Sequence, residues 1–270
     1  RLVTSQWLDG QQVIQIDVDP EEIGRHYENT LRVEGDAKLT MEDLLTDLAA
    51  KAPAKEDRTK EVSAQRSQRS DDIIKVEPQG ELLEAVRKAM PEDGIVISGM
   101  TQLGYYSRAH YPVYEPRTFI TSSYSGNLGY AYPTALGAKV ARPDKAVVCL
   151  SGDGGFMFAS NELATAAQYN IPLVTVVFNN NAYLNVLRDQ ERLFNGRAVG
   201  SRLRNPDFVK FAESFGVSAY KADSATALRQ VLEKAFAADA PVLIEVSVET
   251  GSETAPWEFI MPPPPDDLRV

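Results

Sequence analysis

The run Ala146-Val147-Val148-Cys149-Leu150-Ser151, closed by Gly152-Asp153-Gly154-Gly155, and the run Leu173-Val174-Thr175-Val176-Val177-Phe178, closed by Asn179-Asn180, decide the fold of this chain. Each is a near-continuous apolar stretch of strand length that stops in a polar turn, the pattern of a parallel strand covered on both faces. Between them, Glu162-Leu163-Ala164-Thr165-Ala166-Ala167-Gln168 is built from good helix formers, so the segment is a strand-helix-strand unit. A crossover of this kind brings the chain back to the same edge of the sheet, which places the two polar turns side by side. Open α/β sheets bind their ligands at that edge.

The alternation continues outward. Strands are predicted at 95–98, 119–121, 217–220 and 242–248, and helices at 81–90, 103–109, 129–141, 161–169, 206–215 and 225–237. The fold class that follows is α/β, a doubly wound, mainly parallel sheet flanked by helices. Asn205-Pro206 predicts a helix start, with an N-cap followed by proline at the first helical position.

The two turns offer complementary chemistry. Asp153 supplies a hard anionic oxygen, Asn180 a neutral amide oxygen, and the backbone beyond Asn180 a carbonyl, a set that suits octahedral Mg²⁺ and not zinc, which takes His or Cys. Gly152, Gly154 and Gly155 let the backbone come close to an anion and turn N–H groups toward it. A diphosphate bridged by Mg²⁺ satisfies both halves. Gly-Asp-Gly alone is a common turn; its spacing from Asn179-Asn180 is what carries the weight.

These motifs resemble the fingerprint of the thiamine diphosphate-dependent enzymes, a Gly-Asp-Gly, an intervening helix and Asn-Asn, with Asp153 and Asn180 lying 27 positions apart. The resemblance implies that Asp153, the Asn180 side chain and the Ala182 carbonyl ligate Mg²⁺. It also implies that Gly152, Gly154 and Gly155 meet the diphosphate and that Tyr183 and Leu184 belong to the cofactor site. Gly126-Asn127-Leu128-Gly129 resembles the segment that holds the cofactor bent, with the Gly126 carbonyl accepting from the aminopyrimidine and Leu128 propping the rings. Gly99-Met100-Thr101-Gln102, after the strand Ile95-Val96-Ile97-Ser98, approaches the diphosphate from the other side by the same resemblance, through Gly99, Thr101 and Gln102.

Within the family the likeness is to the acetolactate synthase and benzoylformate decarboxylase branch. It implies that Asn185, Val186 and Asp189 line the substrate pocket. Val186 stands where pyruvate decarboxylases carry a catalytic glutamate. Asp189 and Asn185 stand where acetolactate synthases carry tryptophan and methionine. The implied reaction is decarboxylation of a 2-oxo acid, with the product protonated or joined to an acceptor carbonyl. An aromatic 2-oxo acid is the alternative substrate class. The glutamate that activates the cofactor comes, in this family, from a pyrimidine-binding domain that no segment here resembles, so no catalytic residue is assigned to this chain. The rival reading is a half-site inert alone, completed by that domain from the same or another chain in a homodimer or homotetramer. A regulatory domain without cofactor is disfavoured by the retention of Asp153, Asn180 and Leu128.

Domain boundaries follow from the same comparison. Residues 1–51 resemble the end of a central domain, through Val13-Ile14-Gln15-Ile16-Asp17 and the amphipathic stretch 41–48, which implies that the beginning of that domain is missing. Residues 52–76, charged and Ser-rich, are predicted to be a linker. The cofactor-binding domain occupies 77–250, and 251–270 form a Pro-rich tail expected to be extended.

Composition bounds the rest. The chain has 270 residues, a net charge of −10, a single cysteine and two histidines. An acidic surface without a basic stripe argues against nucleic acid. The absence of a long apolar run argues against a membrane span, and a cytoplasmic location is expected. Cys149 is expected in the core, His26 on the surface, and His110 at a helix end.

Overall fold

A computed structural model describes residues 12–25, 27, 30–51, 57–74, 76–122 and 125–255. His26 and residues 261–265 of the proline-rich tail lie outside them. The chain divides into two compact units, residues 1–68 and 69–270.

In the first unit β1 (Val13–Asp17) pairs in parallel with β2 (Thr30–Glu34), Val13 opposite Thr30 and Asp17 opposite Glu34. β2 is a strand that the sequence reading missed. The turn after β1 is tied by the Gln15 side chain, whose amide donates to the Glu22 carbonyl and whose oxygen accepts from the Gly24 N–H. Gly24 sits at φ 82°, a conformation open to glycine at little cost. Helix α1 (Ala37–Lys51) starts at Asp36, whose carboxylate accepts from the Leu39 N–H.

The stretch expected to be a linker is largely helical instead, as α2 (Thr59–Ile74). Its sequence, TKEVSAQRSQRSDDII, is polar but rich in Lys, Glu, Gln, Arg and Ala, all good helix formers. Polar composition excluded a core here, not a helix.

The second unit carries the remaining elements in the order α3 (Gln79–Ala89), β3 (Ile95–Ser98), α4 (Gln102–His110), β4 (Phe119–Thr121), α5 (Ala131–Ala141), β5 (Val147–Gly152), α6 (Asp153–Met157), α7 (Leu163–Gln168), β6 (Val174–Asn179), α8 (Leu184–Leu193), α9 (Phe208–Ser214), β7 (Ser218–Ala222), α10 (Ala225–Phe236) and β8 (Val242–Ser247). The six strands form one sheet in the order β4-β3-β5-β6-β8-β7, and every adjacent pair is parallel.

Alternate residues of each strand face opposite layers, as a period of two requires. Val96, Val148, Leu150, Val176 and Ile244 pack with Leu82, Val86, Leu103, Leu228 and Leu232 of α3, α4 and α10. Ile97, Cys149, Val177 and Leu243 pack with Ala135, Phe156, Leu163, Phe208 and Ala212 of α5, α6, α7 and α9. The Cys149 thiol is fully buried, and burial pushes its pKa up, which makes it a core side chain.

Going from β3, the chain first moves out to β4 and then crosses to β5 on the other side of β3. The direction of winding therefore reverses between β3 and β5, and their carboxyl ends form the crevice expected of a doubly wound sheet. Helix boundaries agree with the sequence reading to within two residues at most ends. One helix start differs in substance. The N-cap of α9 is Asp207, whose carboxylate accepts from the Lys210 N–H at 3.2 Å, and not Asn205.

Candidate metal-diphosphate site

Four strand ends meet at the crevice. β5 runs into Gly152-Asp153, β6 into Asn179-Asn180, β3 into Gly99-Gln102, and β8 into residues 248–255. A cleft of about 180 Å³ at this edge is lined by Thr101, Gln102, Gly126, Leu128, Gly152, Asp153, Gly154, Gly155, Asn180, Ala182, Tyr183, Leu184, Asn185 and Val186. Three separate sequence motifs thus converge on one place. Met100 and Tyr105 also line it, and no sequence signal marked them.

The Asp153 side chain is deeply buried, with the residue 2% exposed. Burial pushes its pKa up, while the N–H of Gly154, the Asn205 amide and the N–H groups of Asn181 and Ala182 draw it back toward the ionised form. The Asp153 carboxyl is thus desolvated and surrounded by hydrogen-bond donors. Nearby, Asn180 turns its amide NH₂ to Glu253 Oε2 at 2.8 Å, and its Oδ1 accepts from the Ala182 N–H at 3.2 Å. Thr250 Oγ1 donates to the Asn180 carbonyl at 2.5 Å.

The chain then turns back. Asn181 adopts φ 56°, and Ala182 forms an antiparallel bridge with Arg202 in which Tyr183 N–H donates to Ser201 O and Leu203 N–H to Asn181 O. That ladder does not use the Ala182 carbonyl. Asp153, Asn180 and Ala182 thus offer a carboxylate, an amide and a backbone oxygen, the donor chemistry of a hard divalent cation. Among the described residues no group of three or more His, Cys, Asp or Glu could hold a metal.

The glycines are needed for space. A Cβ on Gly154 would meet the Tyr183 ring at 2.3 Å, and one on Gly152 would meet Thr101 at 3.2 Å. Gly99 does not itself line the cleft; its N–H donates to the Leu150 carbonyl at 2.8 Å. Gly126 and Gly129 both take positive φ, 63° and 80°, which carries Leu128 out of the loop to the cleft wall. Leu128 stays 38% exposed there, and Val186 51%.

Not every candidate arrives. Asn127 is exposed and does not line the cleft, and Asp189 pairs with Arg192 at 3.1 Å on α8 rather than facing the pocket. Asn185 is fixed by Gln102, which donates to Asn185 Oδ1 at 2.8 Å and accepts from Arg188 at 3.0 Å. His110 ends α4 and packs on the Tyr106 ring at 4.5 Å, away from the cleft.

Residues that the sequence reading did not assign to the site complete the arrangement. Asn205 Nδ2 donates to Asp153 Oδ2 at 2.7 Å. Glu253, 4% exposed, receives the Asn180 amide, and its own carbonyl accepts from Arg188. Burial pushes the Glu253 carboxyl up to about 7, against the Asn180 hydrogen bond and the Arg188 charge and with the help of the Asp153 charge.

An α/β domain with a Mg²⁺-type oxygen set and a glycine cradle at its switch point defines a diphosphate-cofactor domain. Residues 99–246 match the model of the thiamine pyrophosphate enzyme, C-terminal TPP binding domain, and the chain belongs to this family. Among its relatives, the probable acetolactate synthase large subunit of Methanococcus aeolicus is 31% identical over 259 residues, 89% of this chain and 43% of the relative. The probable 2-ketoarginine decarboxylase of Pseudomonas aeruginosa is 31% identical over 241 residues, 88% of this chain and 43% of that protein. The thiamine diphosphate-dependent 4-hydroxybenzoylformate decarboxylase of Rhodococcus jostii RHA1 is 32% identical with a TM-score of 0.59, covering 64% of this chain and 32% of that one. The chain spans less than half the length of the curated relatives it matches.

Proposed function

We propose that this chain is the diphosphate- and Mg²⁺-anchoring part of a thiamine diphosphate enzyme that decarboxylates a 2-oxo acid, in an acetolactate synthase-like reaction that joins the product to an acceptor carbonyl. The observation that carries the reading is the convergence of Asp153, Asn180, the Gly152–Gly155 turn and Leu128 on one cleft. Asp153, the Asn180 amide oxygen and the Ala182 carbonyl hold the metal. The N–H groups of Gly154 and Gly155 receive the diphosphate, and Thr101 and Gln102 close the cleft from the β3 side. When bound, the cofactor supplies the electron sink for loss of carbon dioxide. Leu128 orients it by filling space, and Asn185 and Val186 bound the substrate side.

A decarboxylase that protonates its product is the alternative, and the relatives include enzymes of both kinds. Val186, apolar and half-exposed at the cleft, offers no proton at the position facing the substrate, which favours ligation to an acceptor.

The activating carboxylate has no counterpart among the described residues lining the cleft, where the acidic side chain is that of Asp153. The chain alone is therefore inert and depends on a pyrimidine-binding domain, from its own polypeptide or another. The test is turnover of pyruvate and of benzoylformate by the 270-residue chain with Mg²⁺ and thiamine diphosphate, alone and mixed with a pyrimidine-binding chain. Activity only in the mixture supports the reading. Turnover by the monomeric chain alone overturns it.

A further inference from the structure

Asn205 lies 52 residues from Asp153 in sequence and in neither cofactor motif, yet its amide sits between the two strand-end turns. Its Nδ2 is 2.7 Å from Asp153 Oδ2, 2.8 Å from Asn179 Oδ1 and 3.4 Å from Asn181 Oδ1. An amide nitrogen has two hydrogens, so the two short contacts account for both, and the third is marginal.

What fixes the direction of these bonds lies deeper in the sheet. On β8, Glu245 is 3% exposed and stands opposite Lys221 of β7, whose ammonium is 3.3 Å from Glu245 Oε2. With the Lys221 ammonium on Oε2, Glu245 Oε1 accepts from the Asn179 NH₂ at 2.8 Å. Asn179 then has only its oxygen left to face Asn205. Asn205 in turn must present its NH₂, and the second hydrogen falls on Asp153. The chain Lys221, Glu245, Asn179, Asn205, Asp153 has a single consistent polarity, and it ends by donating to one oxygen of the carboxylate.

We propose that Asn205 is a positioning residue of the metal clamp: it binds Asp153 Oδ2 and thereby aims Oδ1 at the cation, with its own orientation set by the Asn179–Glu245–Lys221 chain. The role also gives the first asparagine of the Asn179-Asn180 pair a task of its own, since Asn180 faces the clamp while Asn179 carries the relay. The inference rests on Asp153 being a metal ligand, as proposed above. Side chains that orient metal ligands typically change metal affinity by about 10- to 100-fold when removed.

The assembled enzyme, with its pyrimidine-binding domain, provides the test. Apparent affinities for Mg²⁺ and for Ca²⁺ are measured by calorimetry at fixed thiamine diphosphate in the parent, Asp153→Ala, Asn205→Ala and Asn205→Asp, with thermal unfolding in parallel. Asn205→Ala is expected to weaken Mg²⁺ by about tenfold and Ca²⁺ by less, because Mg²⁺ demands near-ideal octahedral geometry and Ca²⁺ tolerates a loose ligand. Asn205→Asp keeps the size but replaces the donor with a charge facing Asp153, so it is expected to weaken Mg²⁺ at least as much. A merely space-filling Asn205 predicts equal losses for both ions and a tolerated Asn205→Asp, and either result overturns the proposal. Should Asn205→Ala fail to fold, Asn205→Asp decides alone: Mg²⁺ affinity within about twofold of the parent overturns it. Mg²⁺ binding lost in Asp153→Ala but unchanged in the Asn205 variants sinks this inference and leaves the site reading intact. Mg²⁺ binding unchanged in Asp153→Ala sinks the site reading itself.

Discussion

The two units of the chain use their apolar side chains in opposite ways. In the unit of residues 69–270, Leu150, Leu163, Leu228 and Leu232 are fully enclosed between sheet and helices. In the unit of residues 1–68 the described apolar residues of α1 lie open, Leu45 at 64% exposure and Leu39, Met41, Leu44 and Leu48 beside it in the same condition. Both units are built from parallel strands and helices. Among the described residues, only those of the larger unit form enough layers to bury what their elements present. Its crevice is correspondingly well held, because the strand ends that form it run out of a closed core.

This contrast has measurable consequences. Leu150→Ala empties a fully buried position on the strand that leads to Asp153, and is expected to lower unfolding stability by about 3 kcal/mol in denaturant titration. A loss under about 1 kcal/mol would mean that the core relaxes far more than its packing implies.

A second consequence concerns pH. The Glu253 carboxyl ionises near 4.5 in the unfolded chain and near 7 in the metal-free fold. Between these values the folded state keeps a proton that the unfolded state has released, so this group's contribution to stability falls as pH rises from about 4.5 to 7 and is fully lost above. Glu253→Gln should flatten that part of the profile, becoming progressively more stable relative to the parent across the window. Parallel profiles for the two proteins would contradict the burial assigned to Glu253.

At the cleft wall Leu128 offers no polar atom to a metal or a diphosphate, so Leu128→Ala in the assembled enzyme is expected to lower turnover about tenfold, some 1.4 kcal/mol, with little change in cofactor affinity. The reverse pattern would make it an anchor. Smallest of all, Leu45→Ala in the exposed face of α1 should change stability by less than about 0.5 kcal/mol. A larger loss would show that this face is covered in solution.

The sequence made much of the larger unit legible. Strands β3, β5, β6 and β8 are buried on both faces and therefore stand out as apolar runs, and the Gly-Asp-Gly and Asn-Asn turns that follow β5 and β6 mark the crevice. What stayed hidden was set by tertiary structure. Asn205 precedes a proline and so resembles a helix cap, but the cap is Asp207, and Asn205 serves a carboxylate on another strand. Glu253 lies beyond the last strand, and only the parallel pairing of β8 with β6 brings it to Asn180. Helix α2 was concealed because polar composition suppresses the apolar periodicity by which helices are recognised. Asp189 was overcalled, since its place on α8 could not reveal that Arg192 would hold it away from the pocket.

The central claim is that Asp153 anchors a cation-bridged diphosphate. Calorimetric titration of thiamine diphosphate with Mg²⁺ into the assembled enzyme, parent against Asp153→Ala and Asn180→Ala, tests it most directly. The account predicts Mg²⁺-dependent binding in the parent, a smaller loss in Asn180→Ala, and the greater loss in Asp153→Ala, because the carboxylate also offsets the charge of the cation. Undiminished Mg²⁺-dependent binding in Asp153→Ala would contradict it.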